Sequence, residues 1–316
     1  MKIVFLDVKT IGEDIDLSKY DELGEVVKYD FSSKEEVPDR VSDADVLVLN
    51  KVEVNEQTIG GAKNLKLVCV TATGTNNLDK DYLDSRGIAW RNVAGYSTDS
   101  VAQHTFALYF YLSEQMRYYD DYVKGGHYVN DVSFTHFEKR FHQLAGQTWG
   151  IIGLGAIGRR VADIAGCFGA KVIYYSPSGS APQEGYAQVD LETLLAASDV
   201  VSVHAPLTDK TENLMDRDAF TKMKKTAIFL NLGRGPIVDE EALAQALESD
   251  GIAAAGLDVL KVEPMADNNP LLQVNNSARL CITPHIGWAS VEARTNLMNI
   301  IYHQIKDWRN DTIVVK

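Results

Sequence analysis

Three polar residues of catalytic type each follow a short apolar run in the C-terminal half of the chain. They are Arg234, which is flanked by two glycines, Glu263, which precedes Pro264, and His285, which follows Pro284. A guanidinium can hold a carboxylate through two parallel hydrogen bonds. A carboxylate beside a histidine favours the protonated imidazole, which can donate a proton near neutral pH. Together these residue types predict a site that binds a carboxylate and transfers a proton.

Each of the three residues also has an ordinary structural interpretation. An isolated arginine is common in surface turns, a glutamate before proline is common in solvated loops, and a histidine after proline often completes a turn. Their joint occurrence at predicted strand ends favours function, because ligands of open α/β sheets bind outside the carboxyl ends of the strands.

A glycine-rich turn lies mid-chain, where an apolar run leads into a Gly-x-Gly-x-x-Gly motif and then into a helical pattern. In such a turn Gly153 makes the tight bend, Gly155 lets the backbone approach a pyrophosphate, and Gly158 lets the helix pack closely on the strand. The N–H groups at the helix start, on Ala156 and Ile157, can bind phosphate. The motif predicts a dinucleotide site, with a ligand-free glycine-rich turn as the alternative.

Short apolar runs alternate with helical patterns along the chain, which predicts α/β architecture with mostly parallel sheets. Six runs include or follow the glycine-rich turn, the number of strands in a complete dinucleotide-binding fold: 149–153, 171–176, 199–204, 227–232, 253–257 and 278–283. Four earlier runs belong to a different, smaller unit: 2–7, 44–50, 67–71 and 88–92. We expect a connecting helix over 97–116 and a C-terminal helix over 290–308 that crosses back to the first unit.

Length and charge restrict the possible functions. A chain of 316 residues is long for one compact core. Its 31 Lys and Arg against 44 Asp and Glu give a net charge of −13, which disfavours nucleic acid and anionic membranes as partners. No apolar run approaches the roughly 18 residues of a membrane span, so we expect a cytoplasmic protein. The histidines and cysteines show no metal-ligand spacing, and His104, within the predicted connecting helix, receives no role. Reduced, buried thiols are expected at Cys69, Cys167 and Cys281.

These motifs resemble the D-isomer-specific 2-hydroxyacid dehydrogenases over nearly the whole chain. The segments that carry the likeness are 153–158, 204–207 (His-Ala-Pro-Leu), 231–235 (Asn-Leu-Gly-Arg-Gly), 258–264 and 284–288 (Pro-His-Ile-Gly-Trp). The resemblance implies two doubly wound parallel-sheet domains: a central Rossmann dinucleotide-binding domain at 100–286, and a discontinuous flavodoxin-like substrate domain at 1–99 plus 287–316. It also implies an oxidoreductase that transfers hydride between a nicotinamide cofactor and a small 2-keto acid or D-2-hydroxy acid.

The resemblance assigns the catalytic roles residue by residue. Arg234 orients the carboxylate and carbonyl of the substrate, His285 is the acid/base, and Glu263 pairs with that histidine. Backbone N–H groups of Thr73 and Gly74 are assigned to the substrate carboxylate.

For the cofactor, the resemblance assigns Asp258 to the nicotinamide carboxamide and places other contacts at His204, Ala205, Pro206, Leu232 and Gly233. About 20 residues after the glycine-rich turn, an NAD-selective site carries Asp or Glu for the ribose hydroxyls. This chain has Ser176 there, which removes the repulsion that excludes a 2′-phosphate. The segment 177–183 supplies no arginine to bind one. NAD is therefore slightly favoured, and NADP stays open.

Within the family, segments 92–106 and 285–290 are most similar to the glycerate dehydrogenase and hydroxypyruvate reductase branch. The resemblance thus implies hydroxypyruvate, glyoxylate or a similar substrate, and a homodimer formed around the cofactor domain. The alternative is an NAD(H)-sensing, corepressor-like regulatory protein on the same fold. The sequence favours the enzyme, because it has neither low-complexity extensions nor the basic patches that suit a regulatory scaffold.

Overall fold

The computed structural model describes residues 1–274 and 278–314. The chain forms two compact units. One consists of Met1–Ser97 together with the segment that begins at Ala289, and the other of Thr98–Trp288. The first unit is therefore discontinuous in sequence. That it binds the substrate while the second binds the cofactor stays a prediction.

Five parallel strands form the sheet of the first unit, in the order β2-β1-β3-β4-β5. They are β1 (Lys2–Phe5), β2 (Glu25–Lys28), β3 (Val46–Leu49), β4 (Leu67–Val70) and β5 (Ala89–Arg91). Three short helices follow strands of this sheet: α1 (Val37–Arg40), α2 (Glu56–Ile59) and α3 (Lys80–Ser85). This strand order is that of flavodoxin-like sheets and confirms the predicted class.

Strand β2 is absent from the sequence-based prediction, which gave this sheet four strands. Its residues are Glu-Val-Val-Lys, and none of them is fully buried. An edge strand pairs on one side only and is often short and charged, so its sequence lacks the continuous apolar run of the central strands β3 and β4.

Seven parallel strands form the sheet of the second unit, in the order β12-β11-β10-β9-β6-β7-β8. They are β6 (Thr148–Ile152), β7 (Lys171–Tyr175), β8 (Ala187–Gln188), β9 (Val200–Val203), β10 (Ile228–Asn231), β11 (Ala254–Leu257) and β12 (Leu280–Ile282). The order reverses beside β6, as in the dinucleotide-binding fold. The six predicted strands are present, and the two-residue edge strand β8 is additional.

The described residues of this unit form six α-helices: α4 (Thr98–Ser113), α5 (Met116–Lys124), α6 (Ala156–Cys167), α7 (Leu191–Ala197), α8 (Arg217–Lys222) and α9 (Glu240–Glu248). The continuous helix predicted over 97–116 is wrong at its end, because Gln115 adopts a left-handed φ of 54° and separates α4 from α5. Helix α4 crosses β10 and β11 at Gly256, where an added Cβ would lie 2.8 Å from Leu230 and 3.2 Å from Leu108.

The C-terminal helix α10 (Val291–Val314) packs within the first unit. The Tyr20 hydroxyl donates a 2.7 Å hydrogen bond to the carbonyl of Met298, and the Gln304 amide donates to the carbonyl of Asn92 at 2.9 Å. Among the helices described, none is both long and apolar enough to cross a bilayer.

A segment of the second unit that begins with α5 exposes large apolar side chains. They are Met116, Val123, Tyr128, Val129, Val132, Phe134, Phe137 and Phe141, the last three 87%, 82% and 53% exposed. The expectation of buried thiols is wrong for Cys167, which lies exposed at the end of α6. Cys69 is buried and Cys281 is half-buried.

Candidate active site

The turn between β6 and α6 needs glycine at its first position. Gly153 has a φ of +93°, and its N–H donates to the carbonyl of Tyr175 at 2.9 Å. A Cβ at this position would lie 2.8 Å from the backbone of Ala205, at the end of β9. Both the left-handed conformation and this close approach exclude a side chain.

The other two glycines of the turn differ in their surroundings. A Cβ at Gly158 would overlap the carbonyl oxygen of Gly153, so close packing of helix on strand requires this glycine. A Cβ at Gly155 would meet no atom within 4 Å. Gly155 is the N-cap of α6 and has no side-chain cap, and Gly155 and Ala156 are exposed, so the N–H groups at the start of the helix are placed to bind an anion. These residues fit a dinucleotide pyrophosphate.

The loop after β7 has serine hydroxyls in the region where an NAD-selective site carries an acidic residue. Ser176 Oγ lies 3.2 Å from Ser178 Oγ, which lies 2.6 Å from Ser180 Oγ. Arg159 of α6 hydrogen-bonds Gln183 at the end of this loop. The loop itself contains no arginine, but Arg159 of α6 lies at its edge.

His204 lies at the carboxyl end of β9, the strand next to β6 in the sheet. Both ring nitrogens are buried, and among the described residues neither has a hydrogen-bond partner. Burial lowers the pKa of His204 to about 3. Its ring is therefore neutral at physiological pH and cannot serve there as a charged group. The next two residues differ in exposure, with Ala205 buried and Pro206 exposed.

Arg234 follows β10 in a turn organised by a fully buried asparagine. Asn231 Oδ1 accepts from the N–H of Gly233 at 3.0 Å, and its Nδ2 donates to the carbonyl of Arg234 at 3.1 Å. Arg234 Nη1 donates to the carbonyl of Gly233 at 2.8 Å. The preceding Leu232 is buried. Arg234 is half-buried, so its guanidinium is held at the turn while part of its surface stays accessible.

Glu263 and His285 form the central pair of the candidate site. Glu263 Oε2 lies 2.8 Å from His285 Nδ1, and Glu263 Oε1 accepts from the N–H of Leu260 at 3.0 Å. With Nδ1 on the carboxylate, Nε2 is the ring nitrogen available for proton exchange with a bound molecule. The pair is partly exposed, with 28% of the histidine side chain and 32% of the glutamate side chain accessible.

The loop that carries Glu263 is held from two sides. Gly235 approaches it so closely that a Cβ there would overlap the carbonyl of Leu260, which places the Arg234 turn against the Glu263 loop. Buried Glu240 accepts from the N–H of Lys261 and from Asn269 Nδ2, each at 2.7 Å. A role for Glu240 was not predicted from the sequence, because acidic residues are common in the first turn of a helix.

Asp258, at the end of β11, holds the loop that carries His285. Oδ1 accepts from the Thr283 hydroxyl at 2.7 Å and from the N–H of Ile286 at 2.9 Å, and Oδ2 accepts from the N–H of Gly287 at 2.8 Å. Burial by itself raises the pKa of Asp258, but hydrogen bonds from His104, Thr283 and the two N–H groups outweigh it and lower that pKa. The expected contact between Asp258 and a nicotinamide carboxamide stays a prediction.

The fold thus collects Arg234, Glu263, His285 and Asp258 in the second unit, at loops after neighbouring strands β10, β11 and β12. The Thr73 and Gly74 loop follows β4 in the first unit, where Thr73 Oγ1 donates to the carbonyl of Val93 at 2.9 Å. In the described part of the chain, no three His, Cys, Asp or Glu side chains are grouped to hold a metal ion.

Comparison with known proteins gives consistent matches. The profile of the D-isomer specific 2-hydroxyacid dehydrogenase NAD binding domain matches residues 106–287. The glycerate dehydrogenase of Methylorubrum extorquens is 36% identical over 97% of this chain and 94% of its own. The hydroxypyruvate reductase of Blautia hydrogenotrophica is 35% identical over 98% of this chain and 97% of its own. The structure of Aquifex aeolicus D-lactate dehydrogenase with NAD and lactic acid matches with a TM-score of 0.84 at 25% identity, covering 98% of this chain and 96% of that one.

Proposed function

The chain belongs to the D-isomer specific 2-hydroxyacid dehydrogenase family, and we propose that Arg234, Glu263 and His285 are its catalytic residues. It is an oxidoreductase that transfers hydride between a nicotinamide cofactor and a 2-keto or 2-hydroxy acid. The observation that carries the residue assignment is the 2.8 Å contact between Glu263 Oε2 and His285 Nδ1.

When bound, the reduced nicotinamide supplies the hydride for the carbonyl carbon of the substrate. His285 Nε2 donates a proton to the carbonyl oxygen in the same reduction and takes it back when the hydroxy acid is oxidised. Glu263 holds the ring through Nδ1, which leaves Nε2 for the proton transfer. Since Glu263 is itself held by the N–H of Leu260, the carboxylate cannot rotate freely away from the ring.

Arg234 would bind the substrate carboxylate and polarise its carbonyl, because a guanidinium presents two parallel donors to such a group. We assign the N–H groups of Thr73 and Gly74 to the same carboxylate. Cofactor contacts are assigned to the turn at Gly153, Gly155 and Gly158 and to the strand-end residues His204, Ala205, Pro206, Leu232, Gly233 and Asp258.

The substrate we propose is a small 2-keto acid of the hydroxypyruvate or glyoxylate type. Relatives that align over nearly the full chain are named for these compounds or for glycerate. NAD is the proposed preferred cofactor, with NADP accepted. Ser176 does not repel a 2′-phosphate, and Arg159 brings one positive charge to the edge of the loop.

We further propose that the protein is a cytoplasmic homodimer that binds no nucleic acid. The exposed apolar segment that begins at α5 supports dimerisation, because exposed clusters of this kind commonly mark interfaces. Changing both Phe134 and Phe137 to Asp should convert the dimer to a monomer in light scattering, whereas Phe31→Asp, at an exposed residue of the first unit, should leave it unchanged. A doubly substituted protein that stays dimeric would place the interface elsewhere.

The experiment that tests the proposed reaction is a steady-state panel of glyoxylate, hydroxypyruvate, pyruvate and bulkier 2-keto acids, run with NADH and with NADPH. The proposal requires the highest kcat/KM with one of the first two acids and a higher value with NADH. Tight cofactor binding without turnover of any 2-keto acid would refute it and favour a cofactor-sensing protein.

A further inference from the structure

His285 stands in an unusual backbone conformation that its neighbours must maintain. Its φ is +55°, in the left-handed region that residues other than glycine seldom adopt. Such a conformation persists only where surrounding contacts hold it. The contacts that do so here are on either side of the residue. The N–H of His285 donates to the carbonyl of Thr283 at 2.9 Å, and the N–H groups of Ile286 and Gly287 both donate to Asp258.

Asp258 is in turn held from helix α4. His104 Nε2 lies 2.9 Å from Thr283 Oγ1 and 3.4 Å from Asp258 Oδ1. The Thr283 hydroxyl has one proton, and its shortest acceptor is Asp258 Oδ1 at 2.7 Å. Thr283 must therefore accept from His104, which makes Nε2 the protonated nitrogen of that ring. His104, Thr283 and Asp258 form one directed chain of hydrogen bonds.

The same face of α4 contacts the His285 loop at a second point. Ser100, one helical turn before His104, donates its hydroxyl to the carbonyl of Gly287 at 2.7 Å. A Cβ at Gly287 would lie 2.8 Å from Asp258 Oδ2 and 3.3 Å from the His104 ring, so the loop lies directly against both groups. Helix α4 itself packs across β10 and β11, which gives these contacts a rigid support.

We propose that His104 and Thr283 are positioning residues for the acid/base reaction. They hold the Asp258 carboxylate in the orientation that receives the N–H groups of Ile286 and Gly287, and this fixes the backbone from which His285 reaches Glu263. The inference rests on the proposed function of His285. It predicts that His104 affects turnover through the loop, without touching the substrate.

The test compares His104→Ala, His104→Gln and Thr283→Val with the wild-type enzyme. Hydroxypyruvate turnover gives kcat and KM, and NADH fluorescence gives the cofactor Kd. His104→Ala should lower kcat by about 10- to 100-fold, since small displacements of a catalytic group are costly. The NADH Kd should change less than about threefold, because Asp258 is only one of the several residues assigned to the cofactor. His104→Gln, which keeps a donor, should recover most of the loss. Ala107→Gln, at an exposed position of the same helix, is the control and should leave kcat unchanged.

A double variant tests whether the two residues act as one unit. Groups in one hydrogen-bond chain have non-additive effects, so His104→Ala combined with Thr283→Val should be no slower than the worse single variant. Multiplied losses would overturn the inference, as would a His104→Ala kcat within twofold of wild type or a loss of NADH affinity equal to the loss of kcat. If His104→Ala fails to fold, the nearly isosteric Thr283→Val tests the positioning role by the same criteria.

His285→Ala, measured in parallel, separates this inference from the proposed function. If that variant keeps its activity, the proposed function itself fails. If it loses activity while His104→Ala and Thr283→Val do not, only the positioning role is refuted.

Discussion

Glu263 and His285 are separated by 22 residues in sequence and by 2.8 Å between Oε2 and Nδ1. Each follows a different strand of the same parallel sheet, and each loop has its own anchor: the N–H of Leu260 for the glutamate and Asp258 for the histidine loop. Both anchors belong to the segment that follows β11, so this one segment supports both members of the pair. Its geometry leaves Nε2 of the histidine for proton exchange, and this determines how substitutions should affect the reaction.

Replacing His285 by alanine should slow turnover with little change in cofactor binding. General acid/base catalysis is worth roughly 10²- to 10⁴-fold, so kcat for hydroxypyruvate should fall by at least about 100-fold. The NADH Kd, from fluorescence titration, should stay near the wild-type value, because the imidazole is assigned to the substrate. His303→Ala, an exposed histidine of α10, is the control. Full activity in His285→Ala would show that another group moves the proton.

The Glu263→Gln variant should slow the reduction by weakening the support of the His285 ring. The amide keeps an oxygen for the N–H of Leu260, but a neutral group replaces the carboxylate that lies 2.8 Å from His285 Nδ1. We expect kcat for hydroxypyruvate to fall by about tenfold or more, while the NADH Kd stays near the wild-type value. Glu212→Gln, at an exposed position, should leave kcat unchanged. A wild-type kcat in Glu263→Gln would show that the reaction does not need the carboxylate.

The strand ends that carry Arg234, Glu263 and His285 can be predicted from the sequence, because buried parallel strands have continuous apolar runs that are easy to recognise. The same reasoning misses β2 and β8, since edge strands are short and half-exposed. It also misses His104 and Glu240. Both lie on helices, where a polar residue has an adequate local explanation. The sequence spacing gives no sign that His104 meets Asp258 or that Glu240 meets the loop at Lys261.

Arg234→Lys should be a damaging substitution in spite of the retained charge. Lysine has no planar pair of donors and cannot hold a carboxylate through two parallel bonds. We expect KM for hydroxypyruvate to rise and kcat to fall together, with a loss in kcat/KM of about 100-fold, or about 3 kcal/mol of transition-state stabilisation. Arg217→Lys, at an exposed position of α8, is the matched control. A change confined to KM would restrict Arg234 to ground-state binding.

Ser176→Asp should make the enzyme more selective for NAD. A carboxylate at the end of β7 can accept hydrogen bonds from the ribose hydroxyls and repels a 2′-phosphate. The ratio of kcat/KM with NADH to that with NADPH should rise by about tenfold or more, mainly through a higher KM for NADPH. Ser180→Asp, farther along the same loop, tests whether a negative charge anywhere in the loop has this effect. Equal ratios in the wild type and in Ser176→Asp would mean that residue 176 does not contact the ribose of the cofactor.

His204 should make the folded protein less stable as the medium becomes acidic. Its pKa is lowered by burial to about 3, below the ordinary value of 6.5. The unfolded chain therefore binds a proton at this residue first, and stability is lost as the pH falls from about 6.5 towards 3. At pH 5 the loss amounts to about 2 kcal/mol relative to neutral pH. Urea unfolding of the wild type and of His204→Leu at pH 7 and at pH 5 measures this loss. From pH 7 to pH 5 the unfolding free energy of the variant should rise by about 2 kcal/mol relative to that of the wild type. His303→Leu should not shift in this way, and a His204→Leu curve parallel to that of the wild type would mean that the buried ring is stabilised in its charged form.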